Sequence, residues 1–375
     1  MQTKKMLKIV HLGQKRIPSR EGGVEVVVEQ LATRMVKKGH YVTCYNRGGH
    51  HVSGKQYNVT RLRDYQGVKL KQVLTIDVKG IAAMSSSFFG ALCAAFGEYD
   101  IVHFHAEGPA FMCWLPRLMG KKVIVTIHGL DWQRAKWGKF ASAYIMAGER
   151  AAIKYADEVI VLSRGVQEYF EERYGRRPIY IPNGVTSVSP VAACKIKEKW
   201  NLEKDSYILY LGRLVPEKGI HYLIEAYKRT NTNKKLVIAG GSSDTDAYME
   251  KIQAMANDNV IFTGFQEGKI LEELYSNAYV YCLPSDLEGM PLSLLEAMSY
   301  GNCCLVSDIE ECTAVVGDKA EIFSKADVND LYLKLTKLLE DETLVKKYKE
   351  EASNYICEKY NWDDVVEKTL ELYRG

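Results

Sequence analysis

Short apolar runs rich in β-branched residues alternate with amphipathic helical patterns along almost the whole chain. The predicted strands cover residues 7–12, 41–45, 100–104, 122–127, 158–162 and 179–181, and then 207–211, 235–239, 260–262, 279–283, 303–306 and 321–323. Helical periodicity fills the intervals between them, with Val24, Val27 and Leu31 on one face of the first long helix. This alternation is typical of parallel α/β architecture and predicts doubly wound sheets.

The chain has 375 residues, a length that favours two domains. A turn-rich segment at 182–190 coincides with a change of charge: 28 Lys and Arg face 15 Asp and Glu up to Val185, against 22 and 32 beyond it. We therefore predict domains at 1–185 and 186–357. The basic first domain is predicted to meet a phosphorylated substrate or an anionic membrane, unless the asymmetry reflects only unevenly solvated faces. No nucleic-acid recognition motif is present, so no nucleic-acid partner is predicted.

The apolar segments exclude a membrane span and favour a cytoplasmic protein. No run reaches the ~20 apolar residues that cross a bilayer, and the start of the chain lacks an apolar stretch of secretory length. The nine cysteines are scattered without Cys-x-x-Cys spacing, which indicates free thiols. Adjacent Cys303 and Cys304 are predicted in the core.

The segment PSDLEGMPLSLLEAMSYG (residues 284–301) follows a predicted strand and predicts an anion site. A helix beginning about Pro291 would leave backbone N–H groups free to bind phosphate, strengthened by the helix dipole. Glu296 is predicted to accept hydrogen bonds from a ribose, and Glu288 to reach sugar hydroxyls. The alternative is that Glu288 is solvated and Glu296 makes a surface ion pair.

A second segment, GRLVPEKG (residues 212–219), follows the first strand of the second half. Its Arg213 and Lys218 would converge on a diphosphate, arginine through forked contacts and lysine as a point charge. There they would stabilise the charge that grows on a leaving group.

These two segments together resemble the donor-binding signature of the retaining glycosyltransferases of family four, which have the GT-B fold. PNGV (182–185) is similar to the domain junction of that family, and YNWDDVVEKTLELYRG (360–375) to its terminal helix. The resemblance implies two Rossmann-like domains that face each other across a cleft, with residues 358–375 returning to the first domain. The opening GQKRIPSREGGVE also resembles a subgroup linked to rhamnosyl transfer in polysaccharide assembly.

The resemblance implies roles for individual residues. Arg213 and Lys218 would bind the donor diphosphate, Glu296 the ribose, and Glu288 the transferred sugar. His128 would lie near that sugar and, with Arg213, Lys218 and Glu288, form the catalytic set. The other donor contacts implied are Gly22, Gly23, Gly264, Phe265, Gly289, Met290, Pro291 and Leu292. The resemblance also implies that the nucleobase lies near the loop Thr263-Gly264-Phe265-Gln266. The Gly22-Gly23 loop would touch donor phosphate or acceptor, or else be a plain turn.

No metal or other cofactor is predicted. His103 and His105 alternate on one face of a strand, as a metal pair would, but no third ligand follows at a persuasive spacing. Asp244-Thr245-Asp246 is similar to a metal motif of another glycosyltransferase fold, and we interpret it here as helix capping.

The predicted function is metal-independent, retaining transfer of a hexose-type sugar from a nucleotide diphosphate donor to a saccharide or lipid-linked acceptor, in polysaccharide or glycolipid assembly. Basic and aromatic residues accumulate in the first half and predict peripheral contact with the inner membrane face, with helix packing as the alternative. These residues are Phe88, Phe89, Phe96, Trp114, Lys121, Lys122, Trp132, Arg134, Lys136, Trp137, Lys139 and Phe140. An epimerase or phosphorylase on the same fold and a non-catalytic sugar-nucleotide sensor remain as alternatives.

Overall fold

A computed structural model describes residues 5–50, 62–78, 80–134, 137–241 and 246–375. The chain divides into two compact units. The first comprises residues 1–183 and 362–375, and the second comprises residues 184–361. The sequence predicted domain limits at 185 and 357, whereas the units of the structure are divided after residues 183 and 361. Both chain ends therefore belong to the first unit.

The first unit is built on an eight-stranded sheet with the order β3-β4-β2-β1-β5-β6-β7-β8. Its strands are β1 (Lys8–Leu12), β2 (Tyr41–Arg47), β3 (Asp64–Tyr65), β4 (Val68–Val73), β5 (Ile101–His105), β6 (Lys122–Ile127), β7 (Glu158–Val161) and β8 (Ile179–Tyr180). Its helices are α1 (Gly23–Lys37), α2 (Ile81–Phe96), α3 (Glu107–Ala110), α4 (Trp114–Leu118), α5 (Lys139–Tyr155), α6 (Arg164–Tyr174) and α15 (Trp362–Arg374). All neighbours pair in parallel except the short β3, which is antiparallel to β4. The strand order reverses between β1 and β5, which is where ligands bind in sheets of this kind.

Sequence analysis missed β3 and β4. In β4 (VKLKQV) buried Val68, Leu70 and Val73 are interspersed with exposed residues, so one face is solvated. The continuous apolar runs used to predict the other strands mark strands buried on both faces.

The second unit has a six-stranded parallel sheet with the order β11-β10-β9-β12-β13-β14. Its strands are β9 (Tyr207–Leu211), β10 (Lys235–Ala239), β11 (Val260–Gly264), β12 (Val280–Leu283), β13 (Cys303–Ser307) and β14 (Glu321–Phe323). Its helices are α7 (Lys195–Trp200), α8 (Ile220–Lys228), α9 (Asp246–Met255), α10 (Gly268–Asn277), α11 (Leu292–Ser299), α12 (Glu310–Val316), α13 (Val328–Glu340) and α14 (Glu342–Lys359). All six strands were predicted. Here the order reverses between β9 and β12.

The core of the second unit contains the two adjacent cysteines that the sequence predicted to be buried. Cys303 and Cys304 are fully buried in β13, and all nine cysteines are free thiols. None of the helices in the described part of the chain has both the length and the apolarity that crossing a bilayer requires.

Candidate functional site

In the second unit, a glycine brings the two predicted donor-binding loops into contact. The loop after β9 makes a 3-10 turn at Pro216–Lys218 and ends at Gly219, whose φ is +65°. A Cβ atom at Gly219 would lie 1.9 Å from the carbonyl oxygen of Pro284, so only glycine allows this approach. The N–H of Asp286 also donates to the carbonyl of Glu217 at 2.9 Å. The loops that follow β9 and β12 therefore touch at the point where the strand order reverses.

This contact places Lys218 beside Glu288. The Lys218 ammonium group is ion-paired with Oε1 of Glu288, and both side chains are largely buried, with 13% and 7% exposed. The Ser285 hydroxyl donates to the same oxygen at 2.7 Å. Removing two charges from water is costly unless they are paired and hydrogen-bonded, so the pairing of these two side chains offsets part of the cost of burying them.

The helix that follows this loop begins one residue later than expected. Pro291 has ψ +97° and caps α11, whose first residue is Leu292. Proline was expected at the first helical position, but this ψ value lies outside the helical range. No side chain caps α11 within the described residues, so the amides of its first turn, with the preceding Gly289 and Met290, remain suited to an anion.

Glu296 and Arg213 are held by nearby tyrosines. The Tyr275 hydroxyl donates to Oε2 of Glu296 at 3.2 Å, and the Tyr275 ring stacks on Tyr300 with centroids 5.3 Å apart. The Tyr210 hydroxyl donates to the backbone carbonyl of Arg213 at 2.9 Å. Both charged side chains are partly buried and follow the two strands that flank the reversal of strand order.

The predicted nucleobase loop lies at the same edge of the second sheet. Gly264 ends β11 with φ +70°, and the partly buried Phe265 follows it. Because β11 is two strands from β9 in a parallel sheet, the loop after β11 is separated from the loop after β9 by ~10 Å. That spacing suits a base joined to a diphosphate through a ribose.

In the first unit, the Gly-Gly segment opens α1, with Gly22 as its cap and Gly23 as its first residue. The Glu25 carboxylate accepts the Lys15 N–H at 2.8 Å, and the buried Glu21 is ion-paired with Arg16 at 2.9 Å. The cations Arg16 and Arg47 lie close to these carboxylates and balance their charge. Contact of this loop with donor phosphate or acceptor therefore stays a prediction.

His128 directly follows β6 and is partly buried. Its Nε2 atom lies 3.2 Å from Nδ1 of His105. Burial lowers the pKa of His128 to about 4. Nearby Asp131 raises this pKa and nearby Arg134 lowers it, both to a smaller extent. The ring is therefore neutral at pH 7.

The prediction that His103 and His105 lack a third partner was wrong. His11 on β1 pairs in register with His103 on β5, and candidate ligand atoms of His11, His103 and His105 all lie within 4.8 Å of one another. The three side chains are fully buried. The register of parallel β1 and β5 could have revealed His11, but the search was confined to residues close in sequence.

Both ring nitrogens of His103 already have hydrogen-bond partners. The Nδ1 atom of His103 lies 2.6 Å from the Tyr373 hydroxyl on α15, and its Nε2 atom lies 2.7 Å from the Thr126 hydroxyl. His11 and His105 are joined at 3.0 Å. A metal would have to displace these partners. The Asp244-Thr245 part of the other candidate metal motif lies outside the described residues.

Sequence analysis also missed a buried pair of glutamates. Glu107 on α3 and Glu149 on α5 are fully buried. Glu107 accepts the Asp131 N–H at 2.7 Å, and Glu149 accepts the hydroxyls of Tyr169 and Tyr174 at 3.2 and 2.7 Å. Burial, with nearby Asp131 and Glu149, raises the pKa of Glu107 to about 11, so this side chain is a neutral acid at pH 7.

The aromatic residues of the first unit are divided between core and surface. Phe96 and Phe140 are the most exposed, at 71% and 78%, and Phe88 and Trp137 are exposed to a smaller extent. Phe89, Trp114 and Trp132 are partly buried. Lys136 lies outside the described residues. Packing therefore explains some of these aromatics and leaves others facing solvent.

Two family models match the chain. "Glycosyltransferase Family 4" matches residues 21–187, and "Glycosyl transferases group 1" matches residues 194–355. An uncharacterized glycosyltransferase of Methanocaldococcus jannaschii is 26% identical, over 94% of this chain and 94% of that protein. The N,N'-diacetylbacillosaminyl-diphospho-undecaprenol alpha-1,3-N-acetylgalactosaminyltransferase of Campylobacter jejuni is 27% identical, over 81% of this chain and 78% of that protein. The Anabaena HepE structure in complex with UDP and glucose covers 97% of this chain and 98% of its own, with a TM-score of 0.81 and 14% identity.

Proposed function

The chain belongs to the family 4, group 1 glycosyltransferases with the GT-B fold, and from this premise we propose that it transfers a sugar from a nucleoside diphosphate donor to a hydroxyl acceptor. The observation that carries the proposal is the contact between the loops after β9 and β12. It gathers Lys218, Glu288 and the start of α11 where the second sheet reverses its strand order. Cations and helix amides at such a position suit a diphosphate.

In this proposal Arg213 and Lys218 stabilise the diphosphate as it leaves, while Glu296 binds the ribose. Glu288 and His128 contact the transferred sugar. Because Lys218 is already paired with Glu288, the arriving diphosphate must share its ammonium group or take it over. The two cations and the helix amides supply the neutralising charge, so the proposed reaction needs no metal.

The proposed transfer retains the configuration of the sugar. The bond between the anomeric carbon and the phosphate oxygen breaks, and its electron pair leaves with the diphosphate. The acceptor oxygen bonds to the same carbon on the same face, and its proton passes to the departing phosphate oxygen. A metal-independent reaction of this kind should continue in excess EDTA.

The proposed acceptor is a saccharide, free or lipid-linked, in polysaccharide or glycolipid assembly. A relative named for transfer to a diphospho-undecaprenol-linked sugar supports this class. The exposed Phe96 and Phe140 of the basic first unit support peripheral contact with an anionic membrane. Co-sedimentation with anionic vesicles, and not with neutral ones, is the expected result, and Phe140→Ser should weaken it.

A donor panel and an acceptor test examine the proposal directly. The preferred nucleotide sugar should raise the melting temperature, because a ligand that binds the native state stabilises it by mass action. A glycosylated product should then form only when an acceptor is present. An epimerised or phosphorolysed donor without any acceptor, or binding with no turnover across a broad acceptor panel, would contradict transferase activity.

A further inference from the structure

Three histidines of the first unit form a continuous chain of ring nitrogens. Nδ1 of His11 lies 3.0 Å from Nε2 of His105, and Nδ1 of His105 lies 3.2 Å from Nε2 of His128. Both distances are those of hydrogen bonds. This row of hydrogen-bonded rings runs from His11 on β1, through His105 at the end of β5, to His128, which follows β6.

The backbone fixes this arrangement closely. Gly13, two residues after His11, has φ +110°, and a Cβ atom there would lie 2.2 Å from the carbonyl oxygen of His105. Only glycine lets the end of β1 approach the end of β5 so closely. His105 also stacks on His103, with ring centroids 4.2 Å apart, so its ring is held from the side as well.

All three rings of the chain are neutral at pH 7. Burial lowers the pKa of His11 to about 3 and that of His128 to about 4. Burial together with neighbouring histidines lowers the pKa of His105 well below its usual range. A neutral imidazole carries one proton on one of its two nitrogens, so each hydrogen bond of the chain has a direction, and the two directions are coupled.

His11, at the inner end of this row of hydrogen bonds, determines whether the protons are donated towards His11 or towards His128. Nε2 of His11 is buried and has no hydrogen-bond partner among the described residues. If the protons pointed inward, this atom would be a buried N–H without an acceptor, a feature that native proteins rarely contain. If the protons point outward, Nε2 of His11 is an unprotonated nitrogen. Nδ1 of His11 then donates to Nε2 of His105, and Nδ1 of His105 donates to Nε2 of His128.

We propose that His11 and His105 are positioning residues that hold His128 in the tautomer protonated at Nδ1, so that His128 offers a hydrogen-bond donor to an oxygen of the substrate. The substrate part of this inference rests on the proposed function. With Nε2 occupied by His105 and Nδ1 already protonated, His128 has no nitrogen left to accept a proton. It therefore orients a sugar hydroxyl and does not act as the general base.

The tautomer can be measured in the protein without any substrate. We expect histidine-selective 15N labelling and long-range 1H–15N correlation spectra to give a protonated Nδ1 and an unprotonated Nε2 for His128, assigned by the loss of its signals in His128→Gln. The opposite pattern, or an average of both, would overturn the proposal. So would a stoichiometric metal bound through His11, His103 and His105 in the purified protein. An absence of transferase activity would contradict the proposed function and leave the tautomer result intact.

Two leucine variants on the same face of β5 separate positioning from packing. His105→Leu removes the donor to His128, so the ring should show averaged tautomers, and the KM for the donor sugar should rise by about 3- to 10-fold, as for one lost hydrogen bond. His103→Leu removes an equally buried ring that lies outside the chain, so His128 should keep its single tautomer. Equal spectra of His128 in the two variants would refute the role of His105. If His105→Leu fails to fold, the wild-type spectrum still decides.

Discussion

In the first unit, burial keeps His11, His105 and Glu107 neutral, whereas in the second unit the candidate site is built on an ion pair. His11, His105 and Glu107 are fully buried, and burial is the main cause of their shifted pKa values. Lys218 and Glu288 form an ion pair, and the Ser285 hydroxyl donates to the same carboxylate.

The difference follows from where the residues lie on each sheet. His11, His103 and His105 belong to central strands β1 and β5, where side chains are packed on both faces. Lys218 and Glu288 lie in loops beyond the carboxyl ends of β9 and β12, where a polar ligand can replace water. The first unit thus offers positioned neutral hydrogen-bonding groups, and the second offers charge.

The sharpest test of this contrast is to remove the cations of the second unit. Arg213→Ala and Lys218→Ala should each lower turnover by about 10²- to 10³-fold, the usual loss for one group that stabilises developing charge. Steady-state kinetics and circular dichroism would measure activity and folding. Lys228→Ala, an exposed lysine on α8 of the same unit, is the matched control. Near wild-type turnover in either site variant would assign the charge stabilisation elsewhere.

Glu296→Ala should weaken nucleoside diphosphate binding by about 1.5–3 kcal/mol, the contribution of hydrogen bonds to a charged group. Isothermal titration calorimetry measures this directly. Glu340→Ala, on an exposed position of α13, should leave the affinity unchanged. An unaltered affinity in Glu296→Ala would remove the ribose assignment.

In the first unit, Glu107 and Glu149 should respond differently to neutral replacements. Glu149→Leu leaves the hydroxyls of Tyr169 and Tyr174 without their acceptor and should lower the free energy of unfolding by about 1–3 kcal/mol. Glu107→Gln replaces a neutral acid by a neutral amide that still accepts the Asp131 N–H, so its cost should stay below about 1 kcal/mol. Urea denaturation at pH 7 compares the two. A larger loss in Glu107→Gln would mean that Glu107 is ionised.

Mild acid should weaken the first unit more than the second, because burial lowers the pKa values of four histidines in the first unit and of His221 alone in the second. The pKa values of His11, His103, His105 and His128 are lowered on folding. Protonation of these groups therefore does not affect the free energy of unfolding above the unfolded pKa of about 6.5, and it decreases that free energy as the pH falls below this value. Each can cost at most about 1.4 kcal/mol per pH unit. Glu107 acts in the opposite direction, because its raised pKa means that stability increases as pH falls towards 4.5.

Hydrogen exchange at pH 7.0 and 5.5, corrected for intrinsic rates, would test this in the whole protein. Peptides from β1 and β5 should lose protection relative to β9 and β12. In His11→Leu, the loss of protection between pH 7.0 and 5.5 should be smaller by up to the contribution of one histidine. Equal loss of protection in both units would contradict the assignment of the acid sensitivity to the histidines.

How much the sequence predicted also differs between the units. In the second, GRLVPEKG and EGMPLSLLEAMSYG lie at the ends of strands that long apolar runs mark clearly, so the sheet and the neighbourhood of Lys218 and Glu288 follow from pattern alone. In the first, His11 and His105 are separated by 94 positions and meet only through the parallel pairing of β1 with β5. Glu107 and Glu149 meet through the packing of α3 on α5, where a Cβ atom at Gly148 would lie 1.9 Å from the Glu107 carbonyl. No local pattern encodes such contacts.

The assignment of α15 to the first unit has a consequence for the order in which the protein matures on the ribosome. Domains usually fold as units while the chain is being synthesised, the earlier one first. Here residues 362–375 belong to the first unit, and Tyr373 can reach His103 only after residue 373 has been synthesised. The later-encoded unit, 184–361, has all its residues before that moment. The half that begins synthesis first is therefore the half that must wait longest for its final helix.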